Sequence, residues 1–575
     1  MKILLLSHAF HSLTQRIFVD LLEAGHDVSV ELDIADSVSL RAASLFHPDV
    51  ILAPYLKRRI PKELLDKYLC LILHPGIVGD RGPSSLDFAL LEGRSHWAVT
   101  VFQATDVLDG GPVFDSVHFP MRLAPKSSLY RHEVTEAASA AVRQTLLLLD
   151  RGQCNPKPQP EHAVRVQPKL TAEYRRVHWD QDSTLSVLRK IHSGDSFPGT
   201  MGDLFGKTYR LLGVHPETNL RGVPGTVLAT FQDAICVATV DGAVWISHLR
   251  SAEPLLDRVP LKLPAKRVLS PFLSMVPEST VQTTPVACSV QEIRYEEQGL
   301  VGMLYFNFMD GAMSTERCHK LKDLVLSARQ KPTRVVVLFG GEDFFSNGID
   351  LCSIEAAEHP AEESLNNLLA MNALVHAILT TTTHRVIAAL QGNAGAGGAF
   401  LAFAADNVCA RKGVILNPHY RNMGNLYGSE YWTYTLPKKV GLKHSLFLRE
   451  LRLPMGTEEA RSLGLVDRVF DGPNSAFRDS VIRYATDLAS DDQFDDFMTE
   501  KRAKRTFDEA QKPLDSYAQE ELAHMRLRFF GFDPSYHVAR YNFVHHIPIS
   551  RTPLHLAKHR DLRWQTHHDR KSNPG

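Results

Sequence analysis

Apolar runs at Ile3–Leu6, Val28–Leu32, Val50–Leu52 and Leu71–Leu73 alternate with stretches of helical periodicity, the clearest from Ser12 to Glu23. Strand–helix alternation of this kind predicts an open parallel sheet covered by helices. A further helix is expected over Ser127–Asp150, and the proline-rich stretch Gly152–Pro160 then reads as a stiff, extended linker. One amphipathic helix, Thr184–His192, opens the next region. Short strands follow at Tyr209–Leu212, Val227–Thr230, Ile235–Thr239 and Val244–Ser247, a spacing that predicts a small β-barrel-like module. From Gln291 to Asp471 strand–helix alternation returns, with glycine-rich turns after Val335–Phe339 and Val386–Leu390. The remainder is helical and charged, and its His567, His568 and Arg570 tail is expected to fray. The expected architecture is therefore α/β and multidomain. Its boundaries fall at 1–151 (Rossmann-like), 165–275 (barrel-like), 285–480 (a second α/β domain) and 481–575 (a helical C-terminal extension).

Composition narrows the function classes. At 44% hydrophobic and 22% charged residues, the 575-residue chain has the balance of a soluble globular protein. A net charge of −1 supplies no global field for nucleic acid or an anionic membrane. The basic run Lys501–Arg505 lies on a mixed-charge helix and reads as a solvated face. Seven scattered cysteines without a CxxC spacing argue for a reducing compartment and against a zinc site or disulfide framework. No apolar run approaches the ~20 residues needed to span a bilayer. Met1–Ser7 reads as a buried strand rather than a signal peptide, so a cytoplasmic location is expected, with no metal. The first strand ends in Ser7-His8-Ala9-Phe10-His11 rather than GxGxxG, which argues against a dinucleotide loop there.

Candidate chemistry appears first at Leu73-His74-Pro75-Gly76, Asp80-Arg81-Gly82-Pro83 and Leu108-Asp109-Gly110-Gly111. These segments resemble the formyltetrahydrofolate transferase and hydrolase family, in which a strand ends in Asn-x-His-Pro, an Arg-Gly turn follows, and an Asp-x-Gly turn comes about 35 residues later. Attack on a formamide carbonyl needs an imidazole to move a proton and a carboxylate to orient it. The resemblance implies those roles for His74 and Asp109, and a folate site to which Arg81, Gln15 and Arg131 contribute. The family's asparagine is Ile72 in this chain, so one amide that would help hold the carbonyl oxygen is missing. A strand-end histidine satisfied by backbone is the plain alternative for His74.

The second constellation is Phe345-Ser346-Asn347-Gly348-Ile349-Asp350 with Gln391-Gly392-Asn393-Ala394-Gly395-Ala396-Gly397-Gly398. Two glycine turns after apolar strands can aim two N–H groups at one thioester oxygen. The pair resembles the crotonase (enoyl-CoA hydratase/isomerase) superfamily, which implies coenzyme A thioesters as substrates and places Ile349, Gly397 and Gly398 at the cradle. The positions of the two hydratase glutamates are Phe400 and Tyr420 in this chain, so hydration lacks its acid and base. Glu430, among Tyr427, Tyr431 and Trp432, is the replacement candidate, its alternative being an acid favoured by a helix dipole. For Tyr420 the alternative is a core tyrosine with a satisfied hydroxyl.

The two halves together, with the runs Tyr305–Thr315 and Tyr536–Val544, resemble a family of hydrogenase maturation factors almost end to end. That resemblance implies synthesis of the carbon monoxide ligand of nickel–iron hydrogenase from 10-formyltetrahydrofolate, by formyl transfer to coenzyme A and loss of carbon monoxide from formyl-CoA. It also implies transient contact with maturation proteins. Tyr420 and Glu430 would carry the second step, and Ser193, Asn307 and Arg540 would line a cavity shared by both sites. A formyltransferase with an amine acceptor, an acyl-CoA hydrolase or isomerase, and a non-enzymatic assembly scaffold are the alternatives.

Overall fold

The computed structural model describes residues 1–253, 255, 256, 258–279 and 290–561, and the expected frayed tail at 567–570 lies outside them. The chain forms two compact units, residues 1–290 with 548–575, and residues 291–547.

The first unit begins with β1 (Lys2–Ser7), α1 (Ser12–Glu23), β2 (Asp27–Leu32), β3 (Val50–Tyr55), β4 (Leu69–His74), β5 (His96–Gln103) and β6 (Val113–Pro120). They make one sheet of order β2-β1-β3-β4-β5-β6. The first four strands are parallel, as their continuous apolar runs predict, but β4 pairs antiparallel with β5 and β5 with β6. The sheet is therefore mixed rather than parallel throughout. His11 starts α1, its Nδ1 accepting from the Thr14 N–H at 3.4 Å. The expected helix over Ser127–Asp150 is present, but a π-helical turn at Tyr130–Val134 precedes α2 (Thr135–Asp150).

After the linker come α3 (Thr184–Gly194) and β7 (Thr200–Leu204), β8 (Lys207–Glu217), β9 (Val227–Phe231), β10 (Ala234–Ala238) and β11 (Ala243–Ser251). Their order is β9-β10-β11-β8-β7, all antiparallel. Val187, Leu188 and Ile191 of α3 pack on Leu211, Val237 and Ile246 of this sheet. Among the described residues the pairing is an open path, so the barrel-like expectation holds for strand content and not for closure.

The second unit is built on β12 (Ile293–Gln298), β13 (Val301–Phe306), β14 (Val335–Phe339), β15 (Arg385–Leu390), β16 (Asn407–Arg411) and β17 (Arg468–Phe470), paired in that order. Only β12 is antiparallel to its neighbour. Helices α4 (Thr315–Ala328), α5 (Pro360–Leu379), α6 (Gly397–Phe403) and α7 (Trp432–Leu451) share one core with one sheet face, while α8 (Asn474–Ala489) and α9 (Phe494–Gln511) cover the other. The last helices are α10 (Leu514–Phe530) and α11 (Ser535–Val544).

Residues 548–561 correct the expected 481–575 boundary, because they return to the first unit. The Val30 N–H donates to the Leu556 carbonyl at 3.0 Å, and the Leu32 N–H to Thr552 Oγ1 at 2.8 Å. Beneath them His559 bridges Ser29 (2.7 Å) and Glu31 (3.0 Å), and Arg560 reaches the same Glu31 carboxylate at 2.6 Å. Strand β2 is the sheet's edge, and this segment supplies the hydrogen-bond partners an edge lacks.

Candidate functional site

Each unit holds one cluster of the expected residues. In the first, His74 ends β4, where glycine at 76 lets the imidazole fold over its own turn: a Cβ there would overlap His74 Nε2 and the Ser85 hydroxyl. The carboxylate that meets this ring is Asp80, not Asp109. His74 Nε2 lies 3.3 Å from Asp80 Oδ2, and both side chains are buried. Burial alone would push the Asp80 carboxyl up, but hydrogen bonds from His74, Ser85 and Gln167 outweigh it and hold the group below its usual range. Asp109 instead accepts the Gly82 N–H at 3.0 Å from a left-handed backbone (φ 50). The reason is local: the turn after β4 brings Asp80 back onto the ring from six residues away, while Asp109 closes against the following Arg-Gly turn. Arg81 lies beside that turn, a Cβ on Gly110 falling 3.1 Å from its guanidinium carbon, and its buried Nε has no hydrogen-bond partner among the described residues. That orphaned donor fits an acceptor on a bound folate or formyl group.

Gln15 and Arg131 come to the same end of the first sheet. Gln15 lies in the first turn of α1, its Nε2 donating to the Phe10 carbonyl at 3.0 Å. Arg131 sits in the π-helical turn, close enough for its charge to act on His11. Burial first, then the charges of Arg131, His8 and Lys57, push His11 down to about 4, so it is neutral at physiological pH. Ser193, near the end of α3, is buried and its hydroxyl donates to the Lys190 carbonyl.

In the second unit, Gly348 and Gly397 touch: a Cβ on Gly348 would stand 3.2 Å from the Gly397 nitrogen. Gly398 packs so closely on Ser346 that a Cβ would overlap the Ser346 carbonyl. The two glycine turns thus meet, with Ile349 next in line, as a thioester cradle requires. A Cβ on Gly397 would also lie 2.5 Å from Glu430 Oε1, so the Glu430 carboxyl faces the cradle itself. Its other oxygen is 2.6 Å from the Tyr420 hydroxyl, which is also 3.0 Å from the Ser429 carbonyl. Tyr420 stacks on Phe400, centroids 5.1 Å apart and planes within 9°. A Cβ on Gly428 (φ 95) would collide with that tyrosine ring.

Burial pushes the Glu430 carboxyl up to about 7, against the hydrogen bond from Tyr420. Burial and the Glu430 charge push the Tyr420 hydroxyl well above its ordinary range, so it stays protonated. One phenolic proton cannot serve two acceptors. With Glu430 ionised, Tyr420 donates to it; with Glu430 protonated, the acid donates to the phenol and the phenol to Ser429. The pair can therefore hold a proton in either of two arrangements beside Gly397.

The helix-dipole alternative for Glu430 does not describe its side chain, which turns to Tyr420. The head of α7 is capped instead by Glu521 of α10, which accepts from the N–H of Tyr431 (3.0 Å) and the N–H and hydroxyl of Thr433 (2.9 and 2.6 Å). Asp80, His11 and Glu521 are the site residues that sequence reasoning missed. Of these, only Asp80 left a signal, in the Gly-Asp-Arg-Gly run. Asn307 follows β13, its backbone N–H donating to the Glu292 carbonyl at 2.8 Å. Arg540 pairs with Glu355 at 2.7 Å and is buried. Among the described residues, no group of three His, Cys, Asp or Glu could hold a metal ion, and no helix is long and apolar enough to cross a membrane.

The enoyl-CoA hydratase/isomerase family model matches residues 306–525, and that of the formyl transferase C-terminal domain matches 169–254. The first of these runs well past the expected boundary at 480, in keeping with the tie from Glu521 on α10 to the head of α7. Methionyl-tRNA formyltransferase of Geobacillus thermodenitrificans is 27% identical over 212 residues, 36% of this chain and 66% of its own length. Hydrogenase maturation factor HoxX of Bradyrhizobium diazoefficiens is 48% identical over 562 residues, 97% of each chain. The crystal structure of HypX from Aquifex aeolicus in complex with tetrahydrofolic acid is similar with a TM-score of 0.93 and 45% identity, covering 98% of this chain and 99% of that one. A formyltransferase-like unit and a crotonase-like unit on one chain, matched end to end in both sequence and structure, make this protein a member of the HypX/HoxX family of hydrogenase maturation factors.

Proposed function

We propose that the protein makes carbon monoxide from 10-formyltetrahydrofolate in two steps, with coenzyme A as the carrier. In the first, the formyl carbon leaves the folate nitrogen and bonds to the thiol sulfur, the thiol proton passing to the folate nitrogen. His74, oriented by Asp80, moves that proton, while Arg81, Asp109, Gln15 and Arg131 bind and orient the folate. In the second step the amides of Ile349 and Gly397, backed by Gly398, hold the oxygen of formyl-CoA. The Glu430 carboxylate removes the formyl proton, the carbon–sulfur pair departs with the thiolate, and carbon monoxide is released. Tyr420 holds Glu430 in place, and the pair returns the proton to sulfur. No redox partner is needed, since the proton and the thiolate are the only other products.

The observation that carries this reading is the buried Glu430–Tyr420 pair facing Gly397, with Phe400 where a hydratase would place a carboxylate. An apolar wall at 400 also withholds the activated water that would turn formyl-CoA into formate. Ser193, Asn307 and Arg540 are proposed to contact the carrier. The product is destined for nickel–iron hydrogenase maturation proteins through transient contact. Incubating the pure protein with 10-formyltetrahydrofolate and coenzyme A, with haemoglobin as the trap, tests the scheme. The carbonyl spectrum is expected only when both substrates are present. Formate without carbon monoxide would overturn it.

A further inference from the structure

Glu521 is a buried carboxylate with no ion pair among the described residues, and it accepts hydrogen bonds from the Tyr431 N–H and the Thr433 N–H and hydroxyl. Those donors belong to the residues immediately after Glu430. The backbone there is unusual: Glu430 and Tyr431 are both left-handed, at φ 59 and φ 58. Two consecutive non-glycine residues in that region are sterically disfavoured, so the surroundings must impose the conformation. Two restraints do so. Asn372 Oδ1 on α5 accepts the Glu430 N–H and the Ser429 hydroxyl, both at 2.9 Å, and Glu521 holds the next N–H and the one two residues on.

We propose that Glu521 is a positioning residue for the decarbonylation site: it locks the left-handed Glu430–Tyr431 step that aims the Glu430 carboxyl at Gly397, and it forms with Glu430 a coupled two-carboxyl unit. The inference rests on the reading of Glu430 as the base. Burial pushes the Glu521 carboxyl up to about 8, against its three hydrogen bonds, and the Glu430 charge adds to the rise. Other titratable groups face this unit: Tyr420 beside Glu430, Cys318 of α4 within reach of the Glu430 charge, Tyr427 within reach of the Glu521 charge, His376 of α5 against the Tyr431 ring, and Asp515 and Glu509, whose charges reach Tyr431. From α11, Tyr536 packs on Phe529 of α10. None of these is a cation paired with either carboxyl, so the two acids repel each other with little compensation. Two such groups bind their first proton more readily together than either does alone.

The test is a difference infrared titration of protonated carboxyl groups in the intact protein, alongside the carbon monoxide assay. Wild type is expected to take up its first proton at a higher pH than either Glu521→Gln or Glu430→Gln. Carbon monoxide formation in Glu521→Gln should fall at least tenfold in kcat with KM for the coenzyme A substrate unchanged, and Glu521→Asp should recover part of it. If Glu521→Gln fails to fold, Thr433→Val serves: losing a donor to the Glu521 carboxylate should move the first proton uptake to still higher pH, a direction that loosened packing would not produce. Uptake at the same pH in wild type and both single variants, or an unchanged kcat in Glu521→Gln, would overturn the inference. A wild-type rate in Glu430→Gln would overturn the underlying assignment of the base, and would do so even with the infrared coupling intact.

Discussion

The two clusters each hold one buried carboxyl beside a proton-carrying side chain, yet their charge states diverge. Asp80 has His74, Ser85 and Gln167 around it, and those donors overcome burial and keep it ionised. Glu430 has the Tyr420 hydroxyl and little else, so burial wins and the acid titrates near neutrality. Donor supply, more than depth, decides whether a buried acid is a fixed counter-charge or a proton carrier. The first arrangement suits an orienting role for a histidine. The second suits a group that must both take and return a proton.

The sharpest way to break this contrast is Glu430→Gln, which removes the proton carrier while keeping its shape. Carbon monoxide trapped by haemoglobin should fall by roughly 10²–10⁴-fold, with formyl transfer to coenzyme A retained by chromatographic assay. Next, Asp80→Asn should slow formyl transfer by about 10²-fold and Asp109→Asn by less, because only the former touches His74; equal losses would restore Asp109 as the orienting group. Tyr420→Phe should lower the carbon monoxide rate by about tenfold and, by removing a donor to the carboxylate, move the ascending limb of its pH profile upward.

The smallest effect concerns stability. A carboxyl raised from 4.5 to about 7 by folding binds its proton more tightly in the native state. Its contribution is therefore undiminished below pH 4.5 and is lost as pH rises through 7, a penalty of about 3 kcal/mol. Glu430→Gln should accordingly melt at the wild-type temperature near pH 4 and above it at pH 8. A constant difference across that range would mean that Glu430 is not held neutral by burial.

Much of this was legible along the chain. Continuous apolar runs revealed the central strands, and the replacement of two family acids by Phe400 and Tyr420 singled out Glu430. What periodicity could not convey was approach through space. Asp80 reaches His74 only because the turn doubles back, and Glu521 reaches Tyr431 across 90 residues of chain. The antiparallel β5 carries a buried, largely apolar stretch, Trp97–Phe102, like its parallel neighbours, so its direction left no mark on composition, while β6, with Asp115, Ser116 and His118, shows no continuous run at all. Residues 548–561 are too short and irregular to show any period at all.

That last segment bears on how the molecule is born. His559 meets Ser29 across 530 residues. At ordinary translation speeds of 5–20 residues per second, the β2 edge emerges about half a minute to two minutes before its cover is synthesised. During that interval the nascent amino-terminal sheet presents open backbone and an unneutralised Glu31 to the cell. Ribosome-bound chains ending before residue 548 should therefore recruit chaperones or self-associate in a way that released, full-length protein does not.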